Sequence, residues 1–212
     1  MTNLRYFIPA LTLALLCFEA RAETSRRDVA PFQSVSFSDA GDIEIAAGKP
    51  QSVTLDSEDQ DLSDIKTEVR DDTLYITRET HWWMFGFGGP ERYRVRIELS
   101  HLAGVSIAGA ARVRVKGLDG GDVTFSLTGA TEMTAEGHAD ILTLAMTGAN
   151  KASLENLAVD TAVISTIGAG EALVNPAKAL TVTVIGAGRV AYKGTPHIVK
   201  TIAGGGKIEP LD

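Results

Sequence analysis

The sequence predicts an all-β fold: a right-handed parallel β-helix of about six coils of 18–20 residues, behind an N-terminal β-strand section. Three observations predict this class. A glycine recurs at a nearly fixed spacing, and apolar residues alternate on both sides of it. The residues before these repeats form short alternating segments bounded by turn signals.

One phrase recurs from about residue 100 onward, as VSIAGA, FSLTGA, LAMTGA, ISTIGA, VTVIGA and KTIAGG. Its glycines lie 18 to 20 residues apart, at Gly109, Gly129, Gly148, Gly168, Gly186 and Gly204. The positions two and four residues before each glycine, and four and six after it, are mostly apolar, with Lys200 an exception in the last coil. This period of two predicts strands with one buried face. Glycine, which tolerates positive φ, is expected at a corner between them.

Charged residues stand three positions after each glycine. We call this set the charge ladder: Arg112, Glu132, Lys151, Glu171, Arg189 and Lys207. Stacked coils would hold neighbouring members about 4.8 Å apart, so that opposite charges alternate until the last step. The interpretation is a row of solvated charges that satisfy one another.

Residues 31–99 precede the coils and contain the alternating segments FQSVSFS, GDIEIAAG, QSVTLDS, IKTEVRDDTLYITRE and RYRVRIELS. The VRDDTLYI stretch predicts a tight hairpin through Asp71 and Asp72. We expect this section to cap the solenoid, because an uncovered end would expose apolar residues and unpaired strand edges.

Residues 1–22 are typical of a secretory signal peptide. Arg5 precedes the apolar run YFIPALTLALLCF, and Ala20 and Ala22 suit signal peptidase, which predicts cleavage between Ala22 and Glu23. Residues 23–30 are then a linker and 31–212 a single domain, with coils over 100–209. The mature protein is expected to be periplasmic or secreted, without a transmembrane segment. It would also lack cysteine, since Cys17 is the only one.

The chain carries a formal net charge of −7 and no basic block, which argues against a nucleic-acid partner. Residues 186–191, Gly-Ala-Gly-Arg-Val-Ala, fit the G-x-G-x-x-A pattern of a dinucleotide site. Such a site needs a helix directly after the second glycine. Here Val190 and Tyr192 continue the strand alternation, so we interpret the motif as another coil corner and expect no cofactor.

The aromatic loop, residues 82–87, is the clearest candidate contact surface: Trp82, Trp83, Met84, Phe85 and Phe87. Glycines and a proline flank it, and an apolar cluster of this size on a surface usually marks a binding site. Its partner would be a protein, a glycan, an envelope surface or a second copy of the chain. The alternative is that the loop folds back and caps the solenoid.

Neither a metal site nor a catalytic site is predicted. Asp122, Asp140 and Asp160 precede successive corners and could offer oxygen ligands to calcium, but aspartate at a turn usually bonds its own backbone. The four histidines are scattered without ligand spacing. A carbohydrate-active enzyme would use acids such as Asp122 and Asp140 with His138, and this is the second alternative function.

The chain resembles the head GIN domain family of autotransporter adhesins. The resemblance rests on FQSVSFSDAGDIEIAAGKPQSVTLDSED, IKTEVRDDTLYI, RVRIELSHLAGVSIAGAARVRV and the Gly-Ala coils, and it covers about residues 31–209. It implies a β-helical envelope or secreted protein with a binding or adhesive role, and it brings no catalytic residues. The first functional hypothesis is therefore a non-enzymatic extracytoplasmic binding module. The first alternative is a structural envelope protein that self-associates through the aromatic loop.

Overall fold

The computed structural model describes residues 23–57, 62–79 and 93–211, and every regular element within them is a β-strand. The N-terminal strands are β1 (Glu23–Arg27), β2 (Ser34–Ser38), β3 (Ala40–Ala47), β4 (Ser52–Ser57), β5 (Ile65–Arg70), β6 (Thr73–Arg78) and β7 (Tyr93–Leu99). The later strands are β8 (Gly104–Asp119), β9 (Asp122–Gly129), β10 (Glu132–Gly148), β11 (Lys151–Gly168), β12 (Glu171–Gly186), β13 (Arg189–Tyr192), β14 (His197–Gly204) and β15 (Lys207–Pro210).

The later strands stack in parallel as a β-solenoid of about five turns, which confirms the predicted class. The prediction of about six coils was slightly high, because six corner glycines enclose only five intervals. Each coil has one arm before its corner glycine and one after it. The arms before the corners form one sheet, here called the pre-corner sheet, and the arms after them form the post-corner sheet.

The corner glycines stack directly on one another, and each has positive φ, between 107° and 145°. A Cβ on Gly148 would lie 2.5 Å from the carbonyl oxygen of Gly129 in the coil before it. Both the backbone conformation and the close approach therefore require glycine, as the repeat predicted. The apparent dinucleotide motif belongs to this column, because Gly186 ends β12 and strand β13 follows it.

The N-terminal section continues the solenoid. Strands β2 and β3 pair in parallel with the two arms of β8, so that Asp39 between them takes the place of a corner glycine. Strands β6 and β7 stack in parallel on β2 and β3 and form the next coil outward. The stacking order in space is thus β6–β7, β2–β3 and then β8, which differs from the order along the chain.

Antiparallel strands cover the outer end of this stack. Strand β5 pairs with β6 through the predicted hairpin, in which Asp71 and Asp72 have φ values of 48° and 55°. Strand β4 pairs with β7, and β1 pairs with β4. Residues 23–30, which the sequence suggested as a linker, thus include a paired strand.

The core runs through the middle of the coils as the alternation predicted. The position four residues before the corner glycine is buried in five successive coils, as Val105, Phe125, Leu144, Ile164 and Val182. Asn150 is a buried polar exception: its Nδ2 donates to the carbonyls of Leu127 and Thr147, and its Oδ1 accepts from the Thr131 amide. Because all three bonds are made, the buried amide ties adjacent coils together at the corner.

Candidate functional site

The aromatic loop, predicted as the contact surface, lies outside the described residues, and strands β6 and β7 flank the segment that contains it. Strand β6 ends at Arg78 and strand β7 begins at Tyr93. The register pairs Thr77 with Ser38 and Tyr93 with Gly41. Strand β6 therefore ends, and strand β7 begins, beside the corner position that Asp39 occupies between β2 and β3.

The two ends of that segment meet in one cluster. The Arg78 Nε donates to Asp39 Oδ2 at 2.9 Å, and its guanidinium carbon lies 5.3 Å from the centre of the Tyr93 ring. The Tyr93 ring also packs against Phe37, with centroids 5.8 Å apart. Because Arg78 and Asp39 are mostly buried, this ion pair is less screened by solvent than the pairs on the outer surfaces.

Tyr93 is more deeply buried than Asp39 or Arg78, at 2% exposure. Burial first, and the negative charge of Asp39 second, raise the pKa of the Tyr93 hydroxyl well above its ordinary range, although Arg78 opposes the shift. The hydroxyl makes no hydrogen bond of standard geometry with any residue that the structure describes. The Tyr93 hydroxyl is thus held neutral at the start of β7, directly after the segment that contains the aromatic loop.

Sequence reasoning missed this cluster. Asp39 and Arg78 are 39 residues apart, and each sits at the end of a strand where a charged residue is unremarkable. The available signal was weak: Asp39 follows the strand FQSVSFS at the place where later coils have their glycine. Recognising it required knowing that β2 and β3 belong to the solenoid.

The charge ladder lies on the outer surface of the post-corner sheet, where its members are register partners. It also continues beyond the predicted residues, through Asp42, Arg94 and Asp56. Arg112 bridges two carboxylates, with Asp42 at 3.3 Å and Glu132 at 3.4 Å. These exposed pairs support the interpretation of charges that satisfy one another, each contributing roughly 0.2–1 kcal/mol.

The two neighbouring rows of the same sheet form a shallow depression, lined by Glu44, Arg96 and Arg114 from one row and Lys116 from the next. Its cations also have carboxylate partners. Arg114 lies 3.4 Å and Arg96 3.8 Å from Glu44, and Lys116 lies 3.5 Å from Glu136. The cations of this depression are therefore paired with carboxylates.

The three aspartates considered for calcium do not form one column. Asp122 is the register partner of Ile141, so it lies one position away from Asp140. Asp160 instead pairs with Lys178 at 2.8 Å, and this hydrogen bond lowers the pKa of the carboxyl and raises that of the amine. His138 Nε2 lies 3.5 Å from Asp140. Within the described ranges, no group of three or more His, Cys, Asp or Glu side chains could hold a metal ion.

These features define a class: a β-solenoid with a stacked glycine corner, one charged sheet, and an aromatic-rich sequence segment between strands β6 and β7. The family described as "Putative auto-transporter adhesin, head GIN domain" matches residues 31–196. The chain belongs to this family.

Solved structures with low sequence identity share the fold. A "putative adhesin" from Bacteroides fragilis is 21% identical with a TM-score of 0.71, covering 91% of this chain and 98% of that one. A "putative lipid binding protein" from Parabacteroides distasonis is 17% identical, with a TM-score of 0.54 over 90% of this chain and 97% of that one. A "putative adhesin" from the same species is 18% identical, with a TM-score of 0.53 over 91% and 98%. No curated protein matches the chain significantly in sequence.

Proposed function

We propose that this protein is a non-enzymatic, extracytoplasmic binding protein of the adhesion type, and that its contact surface is the aromatic loop. Membership of an adhesin family supports the general role. The proposed partner is a protein, a glycan or an envelope surface. Indole and phenyl rings suit such partners, because they bury a large apolar area and stack on flat rings.

The observation that carries the choice of surface is the anchoring of the segment that contains the loop. Both ends of the segment are held by the cluster of Asp39, Arg78 and Tyr93, which is packed into the end of a rigid stack. A binding loop loses less conformational entropy on binding when its ends are already fixed. The same arrangement would also serve a loop that caps the solenoid, so the experiment must separate the two.

The extracytoplasmic setting rests on the predicted signal peptide. No helix among the described residues is long and apolar enough to span a membrane. Mass spectrometry of the exported protein is expected to find Glu23 at the N-terminus. An exported chain that retains residues 1–22 would contradict the proposed cleavage.

The test of the contact surface compares the wild type with a Trp82→Ala/Trp83→Ala variant. Both are assayed by pull-down on envelope fractions, on a glycan array and on phospholipid vesicles. The vesicles are included because one structural neighbour is described as lipid binding. The variant is expected to lose at least tenfold in affinity for the partner that the wild type binds, with an unchanged melting temperature. A Lys151→Ala/Lys207→Ala variant on the charged sheet is the control and should bind normally.

Three other results would contradict the proposal in different ways. Unchanged binding with a lower melting temperature would identify the loop as a cap. A wild-type dimer that the variant loses would favour the self-associating structural role. Turnover of a polysaccharide in a hydrolysis screen, abolished by Asp140→Asn, would favour the carbohydrate-active enzyme.

A further inference from the structure

The outer surface of the pre-corner sheet differs sharply from the charged sheet. Eight adjacent strands, β6, β2, β8, β9, β10, β11, β12 and β14, each contribute three outward residues to three columns beside the corner. A fourth outward column, farther from the corner and containing Asp122, lies outside this set. We call these 24 residues the uncharged face: Thr73, Tyr75, Thr77, Ser34, Ser36, Ser38, Gly104, Ser106, Ala108, Thr124, Ser126, Thr128, Thr143, Ala145, Thr147, Val163, Ser165, Ile167, Thr181, Thr183, Ile185, Val199, Thr201 and Ala203. Not one is charged, although the chain as a whole is 22% charged.

The uncharged face is also regular. From Gly104 to Gly204 its strands pair without a register shift, whereas the shifts in the later coils fall between Thr134 and Glu136 or between Ser153 and Thr161, outside the face. Strand β5, with Lys66, Glu68 and Arg70, forms a charged border beside β6. The result is three straight columns that consist, apart from Tyr75 and Gly104, of Ser, Thr, Ala, Val and Ile residues.

Its C-terminal half exposes apolar side chains to solvent. Val163, Ile167, Ile185 and Val199 are 39%, 48%, 46% and 52% exposed. The register pairs Ile167 with Ile185, so these two side chains are neighbours, while Val163 and Val199 lie two columns away on either side of Thr181. A partner that covers this half of the face would remove all four apolar side chains from water, which is favourable.

We propose that the uncharged face is a homotypic interface, on which a second copy of this chain packs face to face. The size of the uncharged face agrees with a second copy of the chain as its partner. Eight strands about 4.8 Å apart span about 34 Å, and 24 residues fall within the roughly 20–30 per partner of a stable interface. The same patch on both copies gives a closed two-fold dimer.

The absence of charge on the face is compatible with a second copy. Each chain carries a net charge of −7, so two copies repel one another, and this repulsion is smallest when the contact itself contains no charged residues. The uncharged face brings no like charges together, and its small and β-branched side chains allow two sheets to pack about 10 Å apart. A sugar ligand would stack on exposed aromatic rings. Tyr75 is the one aromatic residue on the face, and the Arg70 guanidinium lies over its ring.

The experiment is light scattering and analytical ultracentrifugation of the full mature protein over a wide concentration range. We expect a monomer–dimer equilibrium that is unchanged or strengthened when salt rises to about 0.5 M, since screening weakens only the repulsion between copies. Val163→Glu and Ile185→Glu, tested separately, are each expected to weaken dimerisation at least 100-fold, because the two-fold axis brings two added carboxylates into one interface.

Thr134→Glu, which adds the same charge to the outer surface of the post-corner sheet, is the matched control and should leave the dimer intact. Thr183→Glu serves if either first variant fails to fold, as judged by circular dichroism. A wild type that stays monomeric at all concentrations would overturn the proposal. So would a dimer that survives the glutamate substitutions but dissociates in Trp82→Ala/Trp83→Ala, because the aromatic loop would then be the interface.

Discussion

Gly148 shows how strongly a single residue type is required at a coil corner. Its φ is 107° and an added Cβ would lie 2.5 Å from the carbonyl oxygen of Gly129. We expect Gly148→Ala to lower the free energy of unfolding by about 2–4 kcal/mol, since it combines backbone strain with a clash against main chain. Urea denaturation measures the change. The control is Gly205→Ala, where a Cβ meets no atom within 4 Å; equal losses in both variants would contradict the prediction.

The buried Tyr93 hydroxyl predicts that the stability of the folded protein depends on pH. Its raised pKa means that, as pH climbs past the ordinary tyrosine value of about 10, the unfolded chain loses this proton while the native protein keeps it. The stability that burial of the neutral phenol provides is therefore full below pH 10 and declines above it, by about 1.4 kcal/mol per pH unit.

Tyr93→Phe removes this contribution, because phenylalanine has no proton to lose in either state. The stability of the variant relative to wild type is expected to rise between pH 10 and 11, in urea denaturation measured from pH 8 to 11. Parallel stability curves for the two proteins over that range would show that Tyr93 ionises as readily in the native state as in the unfolded one.

At the scale of the strands, the charge ladder predicts that reversing one of its charges destabilises the protein. Glu132 lies between Arg112 and Lys151, its register partners on the two neighbouring coils. Glu132→Lys would place three cations in a row and is expected to destabilise the protein by about 1 kcal/mol at low salt. About 1 M salt should remove most of that loss. Glu132→Gln, which removes the attraction without adding repulsion, is the control and should lose less; a loss that persists in salt would indicate a packing effect instead.

The strands divide clearly into those that the sequence predicts and those that it does not. The arms beside the six corner glycines were predictable, because a period of two and a repeat of 18–20 residues are both local signals. The stacking of β6–β7 on β2–β3 was not. Those strands carry the same alternation, but no repeated glycine marks Asp39 as a corner, and pairing over such separations depends on the whole fold.

The residues of the candidate site also divide into those that the sequence predicts and those that only the fold brings together. Trp82 and Trp83 stand out by composition alone, while the cluster that anchors their segment depends on Asp39, Arg78 and Tyr93 meeting across separate strands. The uncharged face was present in the repeats as Thr124, Thr143 and Thr181 and their neighbours. Only the strand register shows that these positions share one outer surface.

For the whole molecule, the solenoid implies stability that varies along its axis, because each coil contacts only its neighbours. Strand β14 is almost entirely exposed, and Lys200 and Ile202 occupy core columns there without being buried. Backbone amides of β14 and β15 are therefore expected to exchange hydrogen fastest, and those of β9, β10 and β11 slowest. Hydrogen exchange read by mass spectrometry measures this gradient. Uniform protection would mean that the coils unfold as one unit.

The placement of the β2–β3 coil between β6–β7 and β8 has a consequence for how the chain assembles. Asp42 and Arg112, on stacked coils, are 70 residues apart, whereas Arg112 and Glu132 on the next pair are 20 apart. Closing the longer segment costs about 1.1 kcal/mol more in chain entropy. The later coils can add one after another as they are synthesised. Strands β2 and β3 are synthesised early, but they stay unpaired until their partners β6, β7 and β8 have been made. Once those strands arrive, the earliest part of the domain is enclosed on both sides.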